Sequence, residues 1–236
     1  MIRLFTLSDL GIGKILSLTP AHHHYLAHVM RQKPGDSVLF FNGRDGEWIG
    51  HIQTLNKHDG TVCLTRQTRP QPAPERLILC PALIKKENFD LVLQKATELG
   101  VSDIYPLQTQ RTVIGKLNAT RADLIVREAA EQCERLTVPT VHTPATPAHV
   151  LTTLSPETIP VFLTERGHTT APLTAGQTYA FFVGPEGGWT PDELTVFQRA
   201  GQGIFWHLGD TILRAETAAL AALACCRFAF TGKTSV

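Results

Sequence analysis

The chain has no apolar run as long as a membrane-spanning helix requires, and none near its first residues that is typical of a secretory signal. Its longest uninterrupted apolar run, Ala218–Cys226, has nine residues, whereas a membrane-spanning helix needs roughly 18 or more. The first residues reach Asp9 and Lys14 before a long apolar run can form, so the sequence predicts neither a membrane span nor a secretory signal. We therefore expect a cytoplasmic protein.

Cysteine is also sparse. The five cysteines are odd in number and include no C-x-x-C pair, so we predict reduced thiols rather than a disulfide framework or a zinc site. The ten histidines include the run His22–His24 with His28 behind it, but no carboxylate or cysteine lies at ligand spacing nearby. We predict that the protein binds no metal.

Three common functional motifs are missing as well. A dinucleotide-binding G-x-G-x-x-G beginning at Gly11 would need glycine where Leu16 stands, and a phosphate-binding loop ending at Gly232–Thr234 would need glycine where Arg227 stands. No G-x-S-x-G occurs, which leaves a nucleophile-elbow hydrolase unsupported. The 43% of hydrophobic residues nevertheless provides enough material for a folded core.

Charge and proline divide the chain into two parts. Up to Arg69 there are eight Lys/Arg against five Asp/Glu, a balance of +3, and the remainder carries −2. Three prolines between Arg69 and Glu75 can neither donate to a sheet nor sustain a helix. We therefore predict a first domain over residues 1–70, a linker over 71–75 and a second domain over 76–236.

The first domain has the pattern of a small β-barrel. Short strands with turn residues between them are predicted at Ser37–Phe41, Glu47–Ile52 and Thr61–Thr65. One helix is predicted from about Ala21 to Met30, because apolar residues there recur at helical spacing.

Beyond the linker, strands alternate with helices, which is typical of an α/β domain with a mostly parallel sheet. We predict Thr120 as the N-cap of one of these helices. The tract Thr137–Pro156 is rich in Thr, Pro and Ala and is predicted to be an irregular connection. The predicted strands are Leu77–Cys80, Ile104–Leu107, Pro160–Thr164, Thr178–Val183 and one from about Phe205.

The segment Val183–Glu193 is the most informative one. A predicted strand runs into a turn with Gly184, Gly187 and Gly188, and a helix then opens with a capping box from Thr190. Loops at the carboxyl ends of sheet strands are where α/β proteins bind ligands. The Glu186 carboxylate could meet a ribose hydroxyl, or it could simply hold a tight turn, and spacing alone leaves both interpretations open.

A second strand, loop and helix follow over Phe205–Ala218. The helix Ala218–Phe228 is apolar on nearly every face, so it must be buried inside the protein or in an interface, which favours a dimer. Arg214 and Glu216 are the charged groups at its start. They could serve a pocket, or they could only pair with each other at a helix N-terminus.

Five blocks in order resemble the RsmE-type small-subunit ribosomal RNA uridine N3-methyltransferases of the SPOUT, or trefoil-knot, superfamily. The resemblance implies a PUA-like β-barrel that binds RNA, a knotted C-terminal α/β domain, S-adenosyl-L-methionine as cofactor and an obligate homodimer. The blocks are His28–Arg31 with Gly35-Asp36, Gln94–Val101, Glu128–Gln132, Val183–Gly188, and Leu208-Gly209 with Ile212–Ala218.

The resemblance also implies the cofactor-binding residues. Our own hypothesis for the chemistry is that Arg214 stabilises the uridine anion, with Glu216 as the candidate base or orienting group. Three departures from the family pattern are Thr211 in place of an arginine, Met30 in place of leucine, and Cys133-Glu134 in place of Ser-Gly. The expected cofactor-binding residues are Leu163, Thr164, Glu165, Val183, Gly184, Pro185, Glu186, Gly187, Gly188, Leu208, Gly209, Ile212 and Leu213.

The basic first domain predicts phosphate contacts with small-subunit ribosomal RNA or the assembled subunit through Arg3, Arg31, Lys33 and Arg44. Solvated charges on a small barrel are the simpler alternative. Two other functions stay open from the sequence. One is an RNA-binding assembly module without activity, which Thr211 leaves possible, and the other is a knotted methyltransferase that acts on a different RNA position.

Overall fold

The computed structural model describes residues 1–73, 76–113, 116–166, 171–201 and 203–230. The chain forms two compact units. The first comprises Met1–Ala73 with Ala130–Val138, and the second Pro74–Ala129 with Pro139–Val236. The first boundary lies within the proline-rich segment. No helix in the described ranges is long and apolar enough to cross a membrane.

The first unit is built on a five-stranded sheet in the order β1-β3-β4-β5-β2. Strands β1 and β3 are parallel, and the other neighbours are antiparallel. The three strands predicted in this region are present, and its apolar core includes Leu26, Phe40 and Leu64. The strands are β1 (Arg3–Phe5), β2 (Ile15–Ser17), β3 (Ser37–Phe41), β4 (Glu47–Leu55) and β5 (Gly60–Arg69).

The predicted helix of this unit consists of two parts. Helix α1 (Pro20–His24) begins at Thr19, whose side chain accepts a hydrogen bond from the His22 amide, and a π-helical turn follows over Tyr25–Val29. Arg31 then takes a left-handed backbone conformation with φ 52°. π-helical turns and left-handed non-glycine residues both occur disproportionately at functional sites.

The second unit contains a six-stranded parallel sheet in the order β11-β9-β10-β6-β7-β8. Its central strand carries Phe181 and Phe182, both fully buried, because a parallel sheet is covered on both faces. The strands are β6 (Leu77–Pro81), β7 (Asp103–Ile104), β8 (Thr140–Val141), β9 (Thr158–Thr164), β10 (Thr178–Val183) and β11 (Ile204–His207), and the helices are α2 (Lys86–Glu98), α3 (Ala119–Gln132), α4 (Pro147–Thr153), α5 (Pro191–Arg199) and α6 (Ala215–Phe230).

Two local predictions for this region were wrong. The tract predicted to be irregular contains β8 and α4, and α4 starts in the usual way, with the Thr146 side chain accepting the His149 amide ahead of Pro147. Helix α3 starts one residue before Thr120, and its cap is Asn118, whose side-chain oxygen accepts the Arg121 amide at 3.0 Å.

Glu134 is the second left-handed non-glycine residue, with φ 59°. This is the position at which the family pattern has glycine, which takes that conformation without steric cost. The segment is held in place within the first unit, since Arg69 donates to the Glu134 carbonyl at 2.7 Å and the Glu131 carboxylate accepts the Phe5 amide at 2.7 Å. The substitution therefore retains the backbone geometry at the expense of local strain.

Candidate active site

A cavity of about 450 Å³ opens in the second unit where β9, β10 and β11 end. These strands are neighbours in a parallel sheet, so the loops that follow them meet at one edge. The volume lies within the range of small-molecule sites. All thirteen residues expected to bind a cofactor line this one cavity: Leu163, Thr164, Glu165, Val183, Gly184, Pro185, Glu186, Gly187, Gly188, Leu208, Gly209, Ile212 and Leu213.

The turn after β10 needs its glycines for two different reasons. At Gly184 a Cβ atom would lie 3.2 Å from the ring of Trp189, tighter than most such contacts. Gly188 has φ 69°, a left-handed conformation that a side chain would strain, and its amide donates to the Pro185 carbonyl at 2.8 Å. The backbone is therefore exposed to whatever occupies the cavity.

The helix after this turn begins with the predicted capping box. The Thr190 side chain accepts the Glu193 amide at 3.3 Å, and the Glu193 carboxylate accepts the Thr190 amide at 2.9 Å. Glu193 is buried and also accepts the Gln110 amide at 2.9 Å. One carboxylate thus fixes both the start of α5 and the segment after β7.

The structure separates the two candidate catalytic residues. Arg214 is exposed and lines the cavity, but Glu216 is not among the lining residues. Arg214 directly precedes helix α6, whereas Glu216 lies in its first turn, so the helix does not place the two side chains on one face. The Glu216 Oε2 atom is buried without a hydrogen-bond partner. The structure therefore does not support Glu216 as a group that touches a ligand, and the two side chains form no ion pair.

Comparisons with known proteins identify the family. The sequence profile of an RNA methyltransferase domain matches residues 71–227, and that of an RNA methyltransferase PUA domain matches residues 22–62. The chain belongs to this RNA methyltransferase family. The ribosomal RNA small subunit methyltransferase E of Rickettsia conorii is 33% identical over 229 residues, which cover 94% of this chain and 93% of that protein. Its counterpart from Synechocystis is 33% identical over 232 residues, 94% of this chain and 76% of that protein.

Two solved structures extend the likeness to the fold. The ribosomal RNA small subunit methyltransferase E of Neisseria gonorrhoeae, bound to S-adenosyl methionine, superposes with a TM-score of 0.89 at 28% identity and 98% coverage of both chains. A methyltransferase of Legionella pneumophila, in complex with the cofactor SAM, gives 0.88 at 26% identity, with 97% of this chain and 98% of that chain covered. The expected class, a SPOUT methyltransferase fold with a PUA-like domain, is confirmed.

Further side chains that sequence reasoning did not find also line the cavity of this methyltransferase. Arg111 donates from Nη1 to the Gly187 carbonyl at 2.5 Å, and His207 donates from Nε2 to the Glu165 carbonyl at 3.2 Å. The other lining residues of this kind are Arg166, Trp189, Leu194, Ala215 and Ala218. Arg111 comes from the segment after β7, where no local motif marks it, whereas Trp189 directly follows the glycine turn and could have been considered.

Among the four residues expected to contact RNA, Arg3 is a wrong prediction. Arg3 is only 8% exposed. Its guanidinium lies 2.7 Å from the Glu47 carboxylate and stacks on the ring of Phe41. Because this cation is buried and already paired, it cannot reach an RNA phosphate. Arg31 and Lys33 are exposed in one short segment. Arg44 is exposed but lies 3.0 Å from the Asp9 carboxylate, so an RNA phosphate would compete with an existing partner.

One histidine and two of the cysteines in the described ranges are buried. His23 is buried, with Nε2 2.8 Å from the Asn56 carbonyl oxygen. Across the described ranges, no cluster of three His, Cys, Asp or Glu side chains could hold a metal ion. All five cysteines are free, and burial raises the pKa of Cys226 to about 11 and that of Cys80 well above its usual value.

Proposed function

We propose that the protein transfers the methyl group of S-adenosyl-L-methionine to N3 of a specific uridine in small-subunit ribosomal RNA. The observation that carries the proposal is the single cavity at the ends of β9, β10 and β11, lined by all thirteen family cofactor positions and by Arg214. Membership of the RNA methyltransferase family and the cofactor-bound Neisseria structure support the same conclusion.

The cavity suits a nucleoside with a charged tail. Leu163, Leu208 and Leu213 supply apolar walls, and the turn at Gly184–Gly188 offers backbone without side chains. The Glu165 and Glu186 carboxylates are exposed on the same walls, where they can accept ribose or ammonium protons. When bound, the cofactor supplies an electrophilic methyl group on a sulfonium, so the protein's own task is alignment and charge stabilisation.

Arg214 is the residue we propose for the charge. Uridine N3 carries a proton at neutral pH, and the anion left after its removal spreads onto the neighbouring carbonyl oxygens. Each unit by which the N3 pKa falls requires about 1.4 kcal/mol, and one charge-assisted hydrogen bond supplies roughly 1.5–3 kcal/mol. One guanidinium on the cavity wall is therefore sufficient for a shift of one to two units, and the N3 proton then passes to solvent water rather than to Glu216.

We assign RNA binding to the first unit. It matches the PUA profile of RNA methyltransferases, and it presents Arg31 and Lys33 beside the π-helical turn. Arg31 keeps a left-handed backbone at a surface position, which favours a role in binding over one in stability.

The proposed assembly is a homodimer through the second unit. Helix α6 buries Ala219, Ala222 and Leu223, but Phe228 stays 67% exposed and Cys225 is exposed as well. An exposed apolar helix surface of this kind marks an interaction site. A second copy of the chain would cover it, and sedimentation velocity on the full chain tests this.

The deciding experiment is to map the modification. Ribosomal RNA from cells that lack the protein is digested and compared by mass spectrometry with RNA from cells that carry the wild-type gene or the Arg214→Ala variant. We expect one 3-methyluridine in small-subunit RNA to be absent in the first sample and reduced in the third. A missing methyl group on another base or position would identify a different target, and unchanged RNA would favour a binding module without activity.

A further inference from the structure

Trp189, in the turn after β10, connects this turn to the end of β9 at the edge of the cavity. Its indole Nε1 donates to the Leu163 carbonyl at 2.8 Å, which joins the turn after β10 to the end of β9. The face of the same ring lies against Gly184, where an added Cβ would be 3.2 Å away. Trp189 also lines the cavity itself.

The ring is fixed from behind by the core of the second unit. Trp189 meets Phe197 edge to face at 4.8 Å and 89°, and Phe197 stacks on Phe162 at 4.1 Å. Phe162 belongs to β9 and Phe197 to α5, and both are fully buried. An aromatic ring held in this way has little freedom to move, so the distance between the two loops is set by the core rather than by the ligand.

We propose that Trp189 is a positioning residue that holds the loops after β9 and β10 at the spacing a nucleoside cofactor requires. This inference rests on the proposed function and extends it to a residue outside the expected binding set. The indole N–H is the essential group, because it is the ring's hydrogen-bond donor and it bonds the Leu163 carbonyl at the end of β9. Pre-forming the cavity lowers the ordering cost of cofactor binding and leaves the methyl-transfer step unchanged.

The test compares Trp189→Phe with Trp206→Phe in the full chain. Phenylalanine keeps an aromatic ring against Phe197 and removes only the N–H donor and part of the ring. Trp206 is the matched control, since it lies in β11 beside Phe181 at 5.8 Å and is not among the lining residues. The measurements are calorimetric binding of S-adenosylmethionine, and KM and kcat with small ribosomal subunits as substrate.

We expect Trp189→Phe to weaken S-adenosylmethionine binding about five-fold, as the loss of one neutral hydrogen bond implies. The KM for the cofactor should rise in parallel, while kcat at saturating cofactor and the KM for the RNA substrate stay within about two-fold. Trp206→Phe should match wild type in all four quantities. In a Trp48→Phe/Trp206→Phe background, the fluorescence of Trp189 should change on addition of the cofactor.

The outcomes separate this inference from the proposed function. If wild type binds the cofactor and Trp189→Phe binds it equally well with an unchanged KM, the positioning role is overturned and the proposed function stands. A fall in kcat without a change in cofactor affinity also overturns it. If folded wild-type protein does not bind S-adenosylmethionine at all, the proposed function fails and this inference fails with it.

Discussion

At the scale of single residues, the proposed chemistry depends on Arg214. Its guanidinium is exposed on the cavity wall, and no carboxylate in the described part of the chain pairs with it. An unpaired guanidinium keeps its hydrogen-bond donors available for developing negative charge, since they are not already committed to a counter-ion.

Replacing Arg214 by alanine should therefore lower kcat by about 10- to 100-fold, which corresponds to the loss of one charge-assisted hydrogen bond in the transition state. Arg214→Lys should recover part of the rate, because the charge returns without the planar pair of donors. Initial rates at saturating cofactor and RNA measure this. Arg199→Ala, an exposed arginine on α5 outside the cavity, is the control. Wild-type turnover in the alanine variant would exclude the role.

The residues expected to bind a cofactor line one cavity, because they lie at or just after the ends of neighbouring parallel strands, which meet at one edge of the sheet. Their role in cofactor binding stays a prediction. Two arginines could not be assigned in this way, because their environments depend on contacts distant in sequence. Arg111 donates to the carbonyl of Gly187, 76 positions further along the chain. Arg3 is buried and forms an ion pair with Glu47. Glu216 does not line the cavity although it is only two residues from Arg214, because Arg214 precedes α6 and Glu216 lies inside the first turn of that helix.

At the scale of secondary-structure elements, Glu193 joins two segments that shape the cavity. Its buried carboxylate accepts hydrogen bonds from the amides of Thr190 and Gln110, and the residue after Gln110 is Arg111, which contacts the glycine turn. The start of α5 and the position of Arg111 are thereby coupled through one side chain.

Glu193→Gln should destabilise the folded chain by about 1–3 kcal/mol, because an amide offers one acceptor oxygen where the carboxylate offers two to these donors. Urea denaturation followed by circular dichroism measures the change in the free energy of unfolding. Asp192→Asn, at an exposed first-turn position of the same helix, serves as control and should cost only a few tenths of a kcal/mol. Equal destabilisation by both variants would show that the coupling is not specific to Glu193.

Element-scale prediction was best for β10 and α5. Strand β10 is apolar from Tyr179 to Val183, and α5 carries a complete capping box. Sequence-based prediction was worst for β1, β2 and β8. These strands are only two or three residues long and are defined by pairing between distant segments, such as the parallel register of Leu4 with Phe40. The sequence Thr146-Pro147 is a typical helix start, but the tract was predicted to be irregular because of its Thr, Pro and Ala content.

At the scale of the whole molecule, the cavity and the residues proposed to contact RNA belong to different units. The first unit matches the PUA profile and carries Arg31 and Lys33 on an exposed segment, while the second unit holds the cavity. If the first unit binds ribosomal RNA through phosphates, its contribution must depend on salt, since each neutralised phosphate releases condensed counter-ions.

The double variant Arg31→Ala/Lys33→Ala tests that contribution. The slope of log Kd against log salt concentration for small-subunit RNA should fall by roughly 1.4 to 1.8, because each lost phosphate contact removes about 0.7 to 0.9 from the slope. Binding of S-adenosylmethionine should stay at the wild-type value, since neither residue lines the cavity. Lys95→Ala is the control, because Lys95 already pairs with Glu98 at 2.8 Å and should leave the slope unchanged. If the slope is the same in the double variant and in wild type, these two cations are ordinary solvated charges. The phosphate contacts would then have to come from other basic residues, and the arginines at the cavity would be the next to test.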